Sequence, residues 1–264
     1  MLYNIAMVNI WQFIFYLAIF YVFFLFVKFY LKNRKTEEEF TSIVNHTFRT
    51  PLTRINWISR ELENINLSRE ERLMHIQNLN NATNKLLEIV DLIVGIKDIK
   101  DANKYSSKKA SFRNIVEKSI EKHKDDILKK NISFKISSFN SIPLLVLDTS
   151  KISFVIDTVI ENAIIYTPPG GGILIDCIFN QKSNKLLFFV GDTGIGLSFY
   201  DKMKIFSRFY RSSKAKVSYP DGMGLRLYLS KQIVKKHQGR IYAKSKGKNK
   251  GAVFFVELPL RIDL

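Results

Sequence analysis

One cysteine, Cys177, is all the thiol that this 264-residue chain has. That excludes a disulfide framework and a cysteine-built metal cluster and fits a reducing compartment. Cys177 stands in a strand-like run and reads as a small core residue. No G-x-x-x-x-G-K followed by Ser or Thr occurs, which excludes a Walker phosphate loop. The four histidines show no metal-ligand spacing. Acidic residues are the minority, 24 against 41 Lys and Arg, for a net charge of +17. The lysines run along the whole soluble part and form no single stripe. The charge therefore points to an acidic membrane surface or acidic protein partner, with no direct nucleic-acid contact. Internal repeats and low-complexity segments are absent. The first 27 residues contain no Asp, Glu, Lys or Arg.

What that charge-free stretch does contain is apolar and aromatic. Ile10 to Val27 has Gln12 as its one strongly polar member, and about 20 such residues cross a bilayer as a helix. Lys28, Lys32, Arg34 and Lys35 follow at once. The positive-inside tendency then predicts a single-pass protein of the cell membrane, N-terminus outside and the rest cytoplasmic. A cleaved signal peptide fits less well, because there is no basic n-region and no small-residue cleavage site. About ten residues precede the span, too few for a folded external sensor domain.

Beyond the span the spacing turns helical. Phe40, Ile43, Val44, Phe48, Leu52, Ile55, Ile58 and Leu62 recur at steps of three and four. His46 sits within this pattern, with Arg49 three residues on and Pro51 five on. Proline disfavours a helix interior by roughly 3 kcal/mol, so the pair suggests a bent helix presenting a reactive side chain, or an ordinary kinked helix with a surface histidine. Asn64 to Leu67 reads as a turn, and Ser68-Arg69-Glu70-Glu71 matches a capping box. Leu73, Ile76, Leu79, Thr83, Leu86, Val90 and Ile93 give a second stripe. Such a hairpin cannot cover its own apolar faces, and two of them would close a four-helix bundle, hence a homodimer.

Lys97 to Ser111 is polar and lysine-rich and reads as a linker. Phe112 to Lys130 reads as a helix, Ile132 to Ile136 and Leu144 to Leu147 as strands, and Ser150 to Tyr166 as a helix. Gly172 to Phe179 and Lys185 to Val190 read as paired strands. The helix Leu225 to His237 and strands Arg240 to Ala243 and Val253 to Leu258 follow. This mix predicts a two-layer α/β sandwich.

Four stretches in this part carry chemistry. Asn162, on the helix of Asp157 to Thr167, offers an amide oxygen suited to Mg²⁺, although a surface Asn is commoner. Gly191-Asp192-Thr193-Gly194-Ile195-Gly196 follows a buried-looking strand. A carboxylate there can accept from an adenine amino group, with glycines allowing close approach; a tight turn is the bland reading. Ile205 to Arg211 interleaves aromatics with Arg208 and Arg211, whose guanidiniums suit phosphate, or it is a packed helix end. Gly222-Met223-Gly224-Leu225 opens a helix, and a helix N-terminus with glycines is an anion site.

In this order, behind a His-x-x-Arg-Thr-Pro-Leu helix and an apolar span, these stretches resemble a bacterial two-component sensor histidine kinase. The resemblance runs from about Lys32 to the end, with a HisKA-type phosphoacceptor hairpin first and a GHKL-type ATP-binding domain second. It implies a membrane-anchored α plus α/β protein: one transmembrane helix (1–31), a dimeric four-helix-bundle hairpin (32–98), a linker (99–111) and a Bergerat-like ATPase sandwich (112–264). His46 is then the phosphoacceptor, flanked by the catalytic-position residues Arg49 and Thr50. Thr50 matches the position that aligns a water for dephosphorylating the regulator. Asn162 holds Mg²⁺, Asp192 takes adenine and Tyr166 stacks near it. Gly194 and Gly196 shape the base pocket, Arg208 or Arg211 meets the phosphates, and Gly222, Gly224 and Leu225 cradle them under a lid of about Ser212 to Asp221. The implied partners are a response regulator receiver domain, membrane lipid and a partner membrane sensor protein.

Four positions depart from the family pattern. Thr47 replaces the acidic residue after the phosphoacceptor and cannot act as a base at neutral pH. Thr158 replaces an Asn and Ile165 a phosphate-binding Lys. Arg226 replaces the third glycine, where it either crowds the phosphates or supplies part of the lost charge. Two functions follow: an autokinase that signals through a regulator, or a phosphatase-biased or non-catalytic scaffold that binds nucleotide or a partner kinase. Of the other histidines, His75 and His123 are expected to face solvent, and His237 to cap a helix C-terminus.

Overall fold

The structure, a computed structural model, describes residues 42, 44–45, 47–64, 66–98, 106–137, 142–220 and 222–259. The expected span at Ile10 to Val27 lies outside the described residues, as does His46. Among the described residues no helix is long and apolar enough to cross a membrane. The chain divides into two compact units, Met1–Leu86 and Leu87–Leu264.

The first unit is built on helix α1 (residues 47–62) and most of α2 (Arg69–Asp98). The capping box forms as spelled: Glu71 N–H donates to Ser68 Oγ at 3.2 Å and Ser68 N–H to Glu71 Oε2 at 2.9 Å. On α1, Phe48, Pro51, Ile55, Ile58 and Leu62 turn inward, while Leu52, expected on this stripe, is exposed. On α2 the covered seam is His75, Leu79, Ala82, Leu86, Ile89 and Ile93, alternating steps of four and three. The expected stripe is met in part: Leu79, Leu86 and Ile93 lie on this seam, while Leu73, Ile76, Thr83 and Val90 are exposed. His75 is accordingly not solvent-facing. It occupies a seam position, 9% exposed, edge-on to Trp57 at 6.0 Å between ring centroids.

The second unit is the expected α/β sandwich. Its sheet runs β2 (Ser133–Ile136), β4 (Gly172–Asn180), β5 (Lys185–Asp192), β7 (Ala252–Pro259), β6 (Arg240–Lys244) in space. Only the β2–β4 pairing is parallel. Strands β5 and β7 alternate buried and half-buried residues, the period of two that a sheet covered on one face requires. Phe188, Val190, Phe254, Val256, Ile175 and Cys177 form the covered face. Helix α5 (Thr149–Tyr166) lies in the core, with Ile152, Val155, Ile156, Val159, Ile160 and Ala163 fully buried. A helix apolar nearly all round is stable only when so enclosed. Its N-terminus is fixed by Asp148, whose Oδ1 accepts from Lys151 N–H at 3.0 Å.

Three local readings change. Phe112 to Lys130 is two helices, α3 (Phe112–Lys122) and α4 (Lys124–Lys129), broken at His123. Lys108–Ala110, read as linker, form β1, which pairs antiparallel with β3 (Leu145–Leu147) in a separate two-stranded sheet. Two short helices had no counterpart in the sequence reading: α6 (Phe199–Lys204) and α7 (Ser213–Ser218). The last helix, α8 (Arg226–Lys236), ends at His237 as expected. His237 Nδ1 lies 2.9 Å from Ile233 O, and its Nε2 accepts from Asp148 N–H at 3.2 Å.

Candidate functional site

The nucleotide-site candidates converge on the C-terminal end of α5. Asn162 faces outward there, half-buried, one turn before Tyr166. Its Nδ2 donates to Thr158 O at 2.8 Å, which fixes the amide and leaves Oδ1 as the atom it can offer. One hard oxygen, with phosphate and water completing the shell, fits the way Mg²⁺ is usually held.

Asp192 ends β5 and is locked into the adjoining turn. Its Oδ1 accepts from Gly194 N–H at 2.8 Å and Ala252 N–H at 3.2 Å. Burial pushes its carboxyl above the usual range, and those two N–H groups pull against it. With Oδ1 engaged on protein, Oδ2 remains for a ligand. Gly194 lies against the backbone of Tyr166, where an added Cβ would overlap the Tyr166 carbonyl. The need for glycine is therefore close packing of two protein segments, not approach to a ligand as the motif suggests. Gly196 stands in the same turn, packed on Gly247. Ile195 N–H donates to Tyr166 O at 3.3 Å, binding this turn to the end of α5.

The third stretch behaves differently from expectation. Arg211 Nη1 donates to Pro220 O and Gly222 O, both at 2.8 Å, and Nη2 to Ala215 O at 2.8 Å and to Tyr219 O. The guanidinium thus closes the lid segment onto itself and is not available as a phosphate ligand in this state. It also neighbours the Tyr166 hydroxyl, whose titration burial pushes up and Arg211 pulls down. The Arg208 guanidinium lies over the ring of Tyr228 of α8, 5.2 Å from its centre. The donor fork suits planar carbonyl clusters as well as phosphates, a choice that residue type alone does not decide.

Gly224 has φ +68°, and a Cβ there would press on Phe209 and Tyr210, so a side chain is excluded on both grounds. Gly224 O accepts from Phe209 N–H at 2.9 Å. Leu225, wholly buried, precedes α8, whose first turn has no side-chain cap. Uncapped N–H groups there suit an anion.

Arg226 neither crowds that turn nor replaces the lost lysine. Its Nη2 pairs with Glu161 Oε2 at 2.6 Å and Asp157 Oδ2 at 3.1 Å. Asp157 also receives Lys122 Nζ at 2.9 Å, His123 Nε2 at 2.9 Å and Ser119 Oγ at 3.2 Å. Burial would raise this carboxyl, but the bonds from His123 and Lys122 outweigh it and hold it well below the usual range. His123, expected in solvent, is 8% exposed and belongs to this cluster. Sequence reasoning missed the cluster because its members are scattered from Ser119 to Arg226. It also missed Lys130, whose Nζ donates to Ile164 O, Ile165 O and Thr167 O and so caps the C-terminus of α5 beneath Tyr166.

In the hairpin, Arg49 and Thr50 are exposed and line a shallow hollow with Thr53, Arg54 and Trp57.

Residues 147–262 match the family described as histidine kinase-, DNA gyrase B-, and HSP90-like ATPase. The sensor protein kinase WalK of Staphylococcus epidermidis is 29% identical over 241 residues, covering 86% of this chain. Residues 147–262 are therefore an ATPase domain of that family, and the chain as a whole is similar to sensor histidine kinases. It spans 37% of the length of that curated relative. Among solved histidine kinases, full-length ShkA in complex with AMPPNP superposes with a TM-score of 0.62 at 23% identity, over 81% of this chain and 44% of ShkA. ThkA in complex with response regulator protein TrrA gives 0.62 at 23% identity, over 84% and 61%. These likenesses establish the fold, and the α/β unit built around α5 is a GHKL-type ATPase domain.

Proposed function

We propose that this histidine kinase binds ATP at the end of α5 and autophosphorylates on His46, then passes the phosphoryl group to an aspartate of a response regulator receiver domain. The observation that carries this reading is a pair of pre-set polar atoms, one near the end of α5 and one in the turn bonded to that end. Asp192 Oδ2 is aimed by two backbone N–H groups, and Asn162 Oδ1 is freed by the bond of its own amide to Thr158. The first suits an adenine amino group and the second a Mg²⁺ carrying phosphates. ShkA, which shares the fold, is described with AMPPNP, and ThkA with its response regulator.

In the reaction an imidazole nitrogen of His46 attacks the γ-phosphorus in line, the bond to the β–γ bridging oxygen breaks, and ADP leaves. Such transfer asks chiefly for positioning and charge neutralisation. The proton released from the imidazole passes to solvent water, since the Thr47 hydroxyl cannot accept it at neutral pH. The apolar run at Ile10 to Val27 anchors the chain in the cell membrane on this reading, N-terminus outside. The expected domain limits, 32–98 for the hairpin and 112–264 for the ATPase, remain part of the proposal.

A second reading has its own support. Ile165 supplies no cation, and the guanidiniums of Arg211 and Arg226 are engaged on protein oxygens. That pattern favours a phosphatase-biased or scaffold protein that binds nucleotide without efficient transfer. Incubation with γ-labelled ATP and Mg²⁺ separates the two. Acid-labile label present in the wild type and absent in His46→Gln establishes the autokinase. Thr47→Glu is then expected to raise the rate by about 10²-fold or more, the usual contribution of a general base. ATP bound without label in either protein favours the scaffold.

A further inference from the structure

The ATPase domain carries an exposed patch outside the nucleotide site that combines apolar side chains with lysines. On the six-residue helix α6, Phe199 is 77% and Met203 67% exposed, with Tyr200 beside them. Lys202 lies 5.7 Å from the Phe199 ring centre and Lys204 4.9 Å from that of Tyr200. The loop between β6 and β7 is packed against this helix: Leu197 N–H donates to Ser245 Oγ at 3.1 Å and Lys202 Nζ to Ser245 O at 3.4 Å. That loop exposes Lys246, Lys248 and Lys250. Asp201 is the one acid within residues 199–204 and 245–251, and it is buried, accepting from Ser198 N–H at 2.9 Å and Tyr210 Oη at 2.7 Å.

We propose that this face, formed by α6 and the Ser245 to Gly251 loop, docks the ATPase domain on an anionic phospholipid surface. The cations are all lysine, compact and strongly hydrated, without the planar fork that reads carboxylates on a protein partner. A headgroup layer asks only for such point charges and a few inserted apolar or aromatic side chains. The aromatic rings and Met203 provide the insertion, and the lysines over those rings provide the adjacent charge. An acidic protein would need a larger shaped surface, roughly 800 Å² on each side. Lys214 at the start of α7 donates to Asn249 Oδ1 of the same loop at 2.6 Å, so the docking face is joined to the lid segment.

The test is hydrogen exchange of the full chain mixed with vesicles of phosphatidylcholine alone or of phosphatidylcholine with phosphatidylglycerol. Slowed exchange across 199–204 and 245–251, confined to the anionic vesicles and abolished by high salt, is the expected result. In Lys246→Gln, Lys248→Gln and Lys250→Gln combined, the ratio of docked to undocked domain falls by about fivefold per lysine removed. A Phe199→Ser, Met203→Ser variant loses the protection while keeping its salt-dependent residue of attraction. Equal exchange in both vesicles overturns the proposal. So does protection that survives the triple lysine change, or protection that appears only when a receiver-domain protein is added, which assigns the face to a protein partner.

Discussion

At the scale of single residues, two carboxylates in the ATPase domain are tuned in opposite directions. Asp192 is raised by burial, so its ligand-accepting form is lost earlier than usual as pH falls. ATP affinity is therefore expected to decline at pH values above the usual carboxylate range of about 4. Asp192→Asn lowers affinity about 10- to 100-fold at neutral pH, the range for losing a hydrogen bond to a charged group, and flattens that decline. Titration calorimetry across pH checks both. Asp157 is depressed, and the sign reverses. The unfolded chain takes up a proton near pH 4 and the folded one only well below it, so the stability Asp157 contributes is complete above about 4 and lost as pH falls beneath. Asp157→Asn takes the carboxylate from Lys122 and His123, leaves Arg226 with Glu161 alone, and costs roughly 2–4 kcal/mol at neutral pH, less than a fully enclosed pair because Lys122 is solvated. Urea unfolding at neutral and acid pH measures it, and the mutant loses that part of the acid sensitivity. The turn that holds Asp192 was legible because its partners lie within one motif and the strand beside it. Asp157 was not, because its partners come from α3 and α8, and only packing brings them together.

At the scale of elements, the long ones and the short strands β2, β3 and β6 were legible, while strand β1 and the short helices were not. Strands β4, β5 and β7 and helix α5 announce themselves by periodicity and by apolar content over eight or more residues. Helices α6 and α7, six residues each, are too short for a period to register and are set by Ser198 and Ser212 at their caps. The lid shows why residue type did not settle role: Arg211 gathers the carbonyls of Ala215, Tyr219, Pro220 and Gly222 at the end of a short helix and in the turn after it. Arg211→Ala is expected to open residues 212–220 and speed their cleavage by a protease about tenfold, with little change in global unfolding. Arg211→Lys rescues little, since one ammonium cannot span the fork's geometry.

At the scale of the whole molecule, the phase of α2 bears on assembly. Its inward seam follows a heptad pattern, and so does a second row, Ile76, Thr83, Leu87, Val90 and Val94, of which the four apolar members are all exposed. The sequence stripe mixed the two rows because both are spaced by three and four, and only their burial tells them apart. A helix with two apolar seams and one intramolecular partner is stable in water only if the other seam finds a partner too. A second copy of the same hairpin would supply it with closed twofold symmetry, the homodimer expected from the sequence. Leu87→Glu with Val94→Glu places two charges in that seam without touching the covered one. Each change removes roughly 1.5–3 kcal/mol of apolar burial from both protomers of a dimer, so the dissociation constant is expected to rise at least about 100-fold. Sedimentation of the detergent-solubilised full chain reads the shift to monomer. Unchanged sedimentation, with the hairpin still helical by circular dichroism, would mean that the outer seam is covered by something other than its own copy.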